Sequence, residues 1–276
     1  MLSSPESDPA SVAVSPGLAP GSVESTLILP FNDAANTRRI IEERASEIAA
    51  VIIDPLSTAA GTCMPDPHFL KTLREVTAAH GILLIFDEIV AFRIAPGGAQ
   101  SVFGIKPDLT TLGKVIAGGC PGAAFGGRED VMALYRPDNP QRIPQSGTFN
   151  AAPLTAEAGL ATLRAMTPEV FATMERRATH VADSLRTLFA EAGIMASVLQ
   201  VGSFFQYFFL PELPRNYREA AKDSQEKQNW LIFALTNRGV HWRNSLTNCS
   251  YVMDDEKIEE MLTIVKDVLE GWPFDD

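Results

Sequence analysis

The run ILLIFDEIV (82–90) is the feature that most limits how this chain can fold. It is apolar almost throughout and does not alternate, so it cannot lie on a surface with one face in water. It reads as a central strand covered on both sides. Upstream, AAVIIDPL (49–56) is a shorter β-branched run closed by Asp-Pro, which suits a second buried strand. Between the two, DPHFLKTLREVTAAHG places Phe69, Leu70, Leu73 and Val76 at helical spacing and stops at Gly81. Strand, helix and strand in that order predict parallel pairing through a right-handed crossover. LTTLG (109–113) and AAFGG (123–127) continue the series, so the fold class is α/β with a mostly parallel sheet.

The pattern changes after about Pro153. Two helical stretches follow in succession, PLTAEAGLATLRAM and PEVFATMERRATHVADSLRTLFAEAG. SVLQVGSFFQYFFL then reads as strands, with Phe204, Phe205, Tyr207, Phe208 and Phe209 as core rather than a ligand box. A helix over 217–238, a short strand at 239–242 and an amphipathic helix over 254–270 complete a small α+β unit. The expected organisation is an extended N-terminal arm (1–26), a large α/β domain (27–165) and a small α+β domain (166–276).

A net charge of −11 and the lack of a basic stripe argue against nucleic acid as a partner. No window approaches the roughly 18 apolar residues of a membrane span. The Ser-, Pro- and Ala-rich opening has neither a basic nor an apolar region of a secretory signal, and reads as an extended arm or disordered leader. Cys63, Cys120 and Cys249 lie far apart and read as free thiols in a reducing compartment, the cytoplasm by default. The histidines are equally dispersed, so no metal site is expected.

In open parallel sheets reactive groups collect at the carboxyl ends of strands. Asp87 closes LLIFD, and Lys114 follows LTTLG inside the glycine-rich DLTTLGKVIAGG. A desolvated lysine becomes nucleophilic toward carbonyls, and a carboxylate beneath a heteroaromatic ring keeps a pyridinium nitrogen protonated. A structural Asp–Lys pair at a sheet edge explains the same two residues.

The segment LLIFDEIVAFRIAPGGAQSVFGIKPDLTTLGKVIAGGCPGAAFGG resembles the core of glutamate-1-semialdehyde aminomutases and related class III aminotransferases, pyridoxal-phosphate enzymes of fold type I. The motifs that carry the likeness are Asp87-Glu88, Phe92-Arg93, Gly97-Gly98, Pro107-Asp108-Leu109, Gly113-Lys114, Gly118-Gly119 and Gly126-Gly127. It continues through QSGTFNAAPLTAEAGLATL and spans about residues 15 to 270. The resemblance implies a pyridoxal 5'-phosphate cofactor held by Lys114 as a Schiff base, with Asp87 on the pyridine nitrogen and Ile89 against the ring. Gly147 and Thr148 would reach a phosphate across a homodimer interface, and the substrate would be a small molecule. Arg243 is a weak candidate for a substrate carboxylate, with a surface salt bridge as the alternative.

The family's N-terminal part, with its phosphate-cradling loop and ring-stacking aromatic, aligns with none of these residues. The resemblance therefore implies an N-terminally truncated relative in which coenzyme binding is weakened or lost. The family's gating glutamate is met by Ser245 or Asn248, which puts the aminomutase reaction in question. Two other readings stand beside coenzyme chemistry. One is a coenzyme-independent, esterase-like hydrolase using Ser146 and Lys114. The other is a non-catalytic remnant. The only literal Ser-x-x-Lys, Ser224 to Lys227, sits in a helical stretch and reads as structural.

Overall fold

The computed structural model describes residues 9–275 apart from Val14, Pro20 and Asn244. The expected arm at 1–26 therefore falls partly outside the described residues.

Helix α1 (Ala34–Arg44) starts at Asp33, whose carboxylate accepts the Asn36 amide, and buries Ile40 and Ile41. Strand β1 (Ala50–Ile53) buries Val51 and Ile53 on one face. Helix α2 (Pro67–Ala79) is capped by Asp66 with Pro67 in its first turn, and buries Phe69, Leu70, Leu73 and Val76. Strand β2 (Leu83–Asp87) contributes Leu84 and Phe86, both fully buried. These residues, with α1 and α2 on the same side, form one apolar core. β2 lies between β1 and β3, as expected of a central strand, and its other face is half-buried.

Helix α3 (Gly98–Phe103) leads to strand β3 (Leu109–Gly113), and a short turn leads to strand β4 (Ala123–Gly127). The sheet order is β1-β2-β3-β4, with the first two pairings parallel. β4 runs antiparallel to β3, against the parallel expectation. The connection is too short to hold the crossover that parallel neighbours require, whereas a reversal needs only a turn. Helix α4 (Glu129–Met132) follows, then helix α5 (Pro153–Ala165), in which only Gly159 is buried.

Helix α6 (Pro168–Glu191) begins at Thr167 and lays Met174, Ala178, Val181, Ala182, Leu185 and Phe189 along one stripe. It covers strands β5 (Ser197–Val201) and β6 (Phe204–Phe208), which pair antiparallel. The helix expected over 217–238 divides into α7 (Tyr217–Ala220) and α8 (Gln225–Thr236). Each has its own N-cap, Asn216 accepting the Glu219 amide and Ser224 accepting the Lys227 amide. The strand expected at 239–242 does not form. Its place beside β6 is taken by β7 (Thr247–Asn248), while Trp242 packs its ring on Phe205 and Tyr207. Helix α9 (Asp255–Leu269) closes this second core with Ile258, Leu262, Val265 and Leu269. All five aromatics read as core between 204 and 209 are buried.

Candidate active site

Asp87 is the last residue of β2, and the β2–β3 register sets it opposite Thr111. Its Oδ1 accepts the Ile89 amide and the Thr111 hydroxyl, each at 3.1 Å. Among the described residues nothing donates to Oδ2. One oxygen is fixed and the other is open.

Glu88, one residue on, is enclosed instead. Its carboxylate is fully buried and accepts the Ala99 amide (2.6 Å), the Gln100 amide (3.0 Å) and the Gln100 side chain (3.1 Å). Burial pushes its carboxyl above the usual glutamate range, against the pull of those three donors. A side chain at Gly98, whose φ is +70°, would overlap this carboxylate, so only glycine lets α3 start there. Glu88 thus ties the 91–103 stretch to the strand end that carries Asp87.

Lys114 follows the last residue of β3, at the end of the strand next to Asp87. Its φ is +50°, a left-handed conformation that costs a non-glycine residue about 1–2 kcal/mol. Backbone strain of this kind collects at functional sites. The turn it opens is braced by α5. A Cβ at Gly118 would overlap the Ala158 carbonyl, and one at Gly159 would overlap the Ile116 carbonyl. The two backbones therefore touch, and the Thr155 hydroxyl adds a bond to the Pro121 carbonyl at 3.1 Å. Gly113 leaves a space bordered by the Ile89 side chain, whose Cγ2 lies 3.5 Å from where a Cβ would stand. The lysine side is exposed, so the desolvation expected for Lys114 is not present in this chain alone.

Other expected site residues lie apart. Ser146, Gly147 and Thr148 sit in a stretch, 140–151, that is exposed throughout. No hydrogen bond joins Ser146 to Lys114 among the described residues. Arg243 is exposed beside buried Trp242. Ser224 is an N-cap, and Lys227 lies 6.0 Å from the Trp272 ring centroid, which accounts for both structurally. Burial pushes the Cys63 thiol up to about 12 and the Cys249 thiol to about 11, so neither is a thiolate near neutral pH. No group of three His, Cys, Asp or Glu among the described residues could hold a metal ion, and no described helix is long and apolar enough to cross a membrane.

Sequence reasoning missed Thr111 and Gly159. Thr111 becomes a partner of Asp87 only through strand register, and Gly159 matters only where α5 meets the Lys114 turn. The glycine pair at 118–119 was visible, but its partner across space was not.

The family model for aminotransferase class III matches residues 21–269. The chain belongs to the class III aminotransferase family. This class III chain is 36% identical over 261 residues to the glutamate-1-semialdehyde 2,1-aminomutase of Methanocaldococcus jannaschii, covering 93% of this chain and 61% of that protein. It is 38% identical to the aminomutase of Roseiflexus castenholzii, with 92% and 59% covered. It thus spans about 60% of the length of the curated relatives it matches. An omega-transaminase from Sphaerobacter thermophilus superposes with a TM-score of 0.91 at 34% identity, over 96% of this chain and 63% of that one. A transaminase solved with PLP bound superposes at 0.84 and 31% identity, over 93% and 60%. The class III chain accordingly has the fold of the type I pyridoxal-phosphate transferases.

Proposed function

We propose that this chain supplies the lysine-and-carboxylate side of a pyridoxal 5'-phosphate site and takes part in amino-group transfer on a small molecule. The observation that carries the reading is the placement of Asp87 and Lys114 on adjacent strand ends, one carboxylate oxygen open and the lysine in a left-handed turn braced by α5. The donor set fits two ends of the coenzyme. The open Oδ2 of Asp87 suits a protonated pyridine nitrogen, and the Lys114 amine suits an aldehyde. When bound, the coenzyme supplies an electron sink that lets an amino group and a proton be exchanged at carbon.

In this reading Lys114 holds the coenzyme through its Nζ and afterwards serves as the base that moves the proton. Asp87 keeps the ring nitrogen charged. Ile89 gives an apolar contact for the ring. Gly147 and Thr148 would supply a phosphate contact from a partner subunit. A homodimer is supported by α5, where Leu154, Leu160 and Leu163 are 75%, 41% and 43% exposed next to the exposed 140–151 stretch. The similarity to aminomutases is strong, but the 245–250 stretch offers Ser245 and Asn248 and no carboxylate, which favours transfer over isomerisation. Residues 27–165 and 166–276 would be the large and small domains.

The test is a visible spectrum on adding pyridoxal phosphate. Any saturable change that disappears in Lys114→Ala supports the reading. A protein whose spectrum is the simple sum of its parts, or an unchanged response in Lys114→Ala, rejects it.

A further inference from the structure

Asp87 has two oxygens, but the described residues donate to only one of them. Both donors that reach the carboxylate, the Ile89 amide and the Thr111 hydroxyl, choose Oδ1 at 3.1 Å. The bond from the Ile89 amide is local, within the turn that leaves β2, and any residue but proline at 89 would make it. The hydroxyl bond crosses between strands and depends on a single side chain. Thr111 stands opposite Asp87 in the parallel register, and its carbonyl also accepts the Glu88 amide at 3.0 Å. One residue therefore grips the Asp87 side chain and the next backbone unit together.

Its neighbours show how closely this strand end is fixed. The Gln100 side chain, which donates to buried Glu88 at 3.1 Å, also lies 3.4 Å from the Thr110 hydroxyl. Thr110 and Thr111 point to opposite faces of β3, as successive strand residues must. One face is tied to Glu88 and α3, the other to Asp87. A carboxylate with no second tether rotates about its terminal torsion, because that torsion is broad rather than staggered. With Oδ1 held twice, the plane of the carboxylate is defined and Oδ2 has one direction.

We propose that Thr111 is a positioning residue for Asp87, fixing the carboxylate through Oδ1 so that Oδ2 alone meets the ring nitrogen of the coenzyme. This rests on the pyridoxal-phosphate reading above, but the Thr111–Asp87 bond can be examined without it. Without the hydroxyl the carboxylate must be oriented when the coenzyme binds, and immobilising a side chain at that moment should weaken binding by about tenfold. Valine has the shape of threonine without the hydroxyl and keeps the β-branching that suits a strand. Serine keeps the hydroxyl without the methyl.

The experiment titrates the wild type, Thr111→Val, Thr111→Ala and Thr111→Ser with pyridoxal phosphate, following visible absorbance. It also records the Asp87 carboxyl carbon resonance of each coenzyme-free protein, assigned with Asp87→Asn. The expected result is about tenfold weaker binding and a displaced Asp87 resonance in Thr111→Val and Thr111→Ala. Thr111→Ser should return both close to wild type. A purely structural threonine would show no such split between serine and valine. Wild-type affinity in Thr111→Val, or equal loss in Thr111→Ser, overturns the proposal. If the wild type itself ignores pyridoxal phosphate, the coenzyme reading fails by itself. The Asp87 resonance then decides for Thr111: displacement in Val and Ala but not Ser supports its hold on the carboxylate, and no displacement overturns it.

Discussion

Strands β4 and β6 are each five residues long and each pairs antiparallel with the strand before it, yet every residue of β6 is buried and none of β4 is. The difference is in the side chains and in what covers them. β6 reads Phe-Phe-Gln-Tyr-Phe and lies under α6, with Phe189, Tyr207 and Phe209 in mutual ring contact. β4 reads Ala-Ala-Phe-Gly-Gly, with little to bury, and the helix nearby, α5, shows its leucines to solvent. The C-terminal unit is held by apolar burial. The strand ends that carry Asp87 and Lys114 are held by hydrogen-bonded carboxylates and by backbone contact through glycine.

That contrast can be broken most forcefully in the C-terminal core. Phe189→Ala removes a side chain that is 1% exposed and touches two other rings, and is expected to cost about 3–5 kcal/mol in a denaturant titration. The loss should be the same at pH 5 and pH 8, because of the two rings only Tyr207 can ionise, and burial keeps its hydroxyl neutral across that range. A cost below about 1 kcal/mol would mean that this core is not what holds the C-terminal unit.

A smaller and pH-dependent effect is expected at Glu88. Its carboxyl titrates above the ordinary glutamate range because burial favours the neutral form. The folded state therefore holds the proton more tightly than the unfolded chain. The contribution to stability is fully present below the unfolded pKa and is lost as pH rises through the folded one. Unfolding measured across that window should show wild-type stability falling with rising pH, and Glu88→Gln should lack this component of the slope. Equal slopes in the two proteins would remove Glu88 as its source.

The smallest effect on stability should come from α5. Leu154 is 75% exposed, so Leu154→Ala should change unfolding by no more than about 0.5 kcal/mol. Sedimentation would nevertheless show weaker self-association if this face meets a second copy, since exposed apolar patches of this kind mark contact surfaces. A large loss of stability, with association unchanged, would place Leu154 in the monomer core instead.

Much of the first sheet was legible in the sequence because its signals are local. Helical spacing identified α2, Gly81 marked its end, a β-branched run identified β1 and an apolar run identified β2. The direction of β4 followed from the length of the connection before it, a signal that was present but weighed less than the strand–helix pattern. The error at 239–242 has another cause. Val240 and Trp242 look like a strand because they are apolar, but a strand also needs a partner of matching register, and β6 pairs with 247–248. For the candidate site, Asp87 and Lys114 were found from their positions after apolar runs and from family likeness. Their setting was not.

What the sequence determined alone was the class of fold, the order of most elements and the positions of Asp87 and Lys114 after two apolar runs, the two residues on which the proposed amine chemistry rests. These follow from periodicity, turn residues and motif, all written along the chain. The tertiary structure decided which oxygen of Asp87 is free, that Glu88 is enclosed while its neighbour is not, and that Lys114 stands exposed in a left-handed turn braced by α5. Each of those depends on groups distant in sequence meeting at fixed distance and angle, and hydrogen bonds and close packing act only on such meetings.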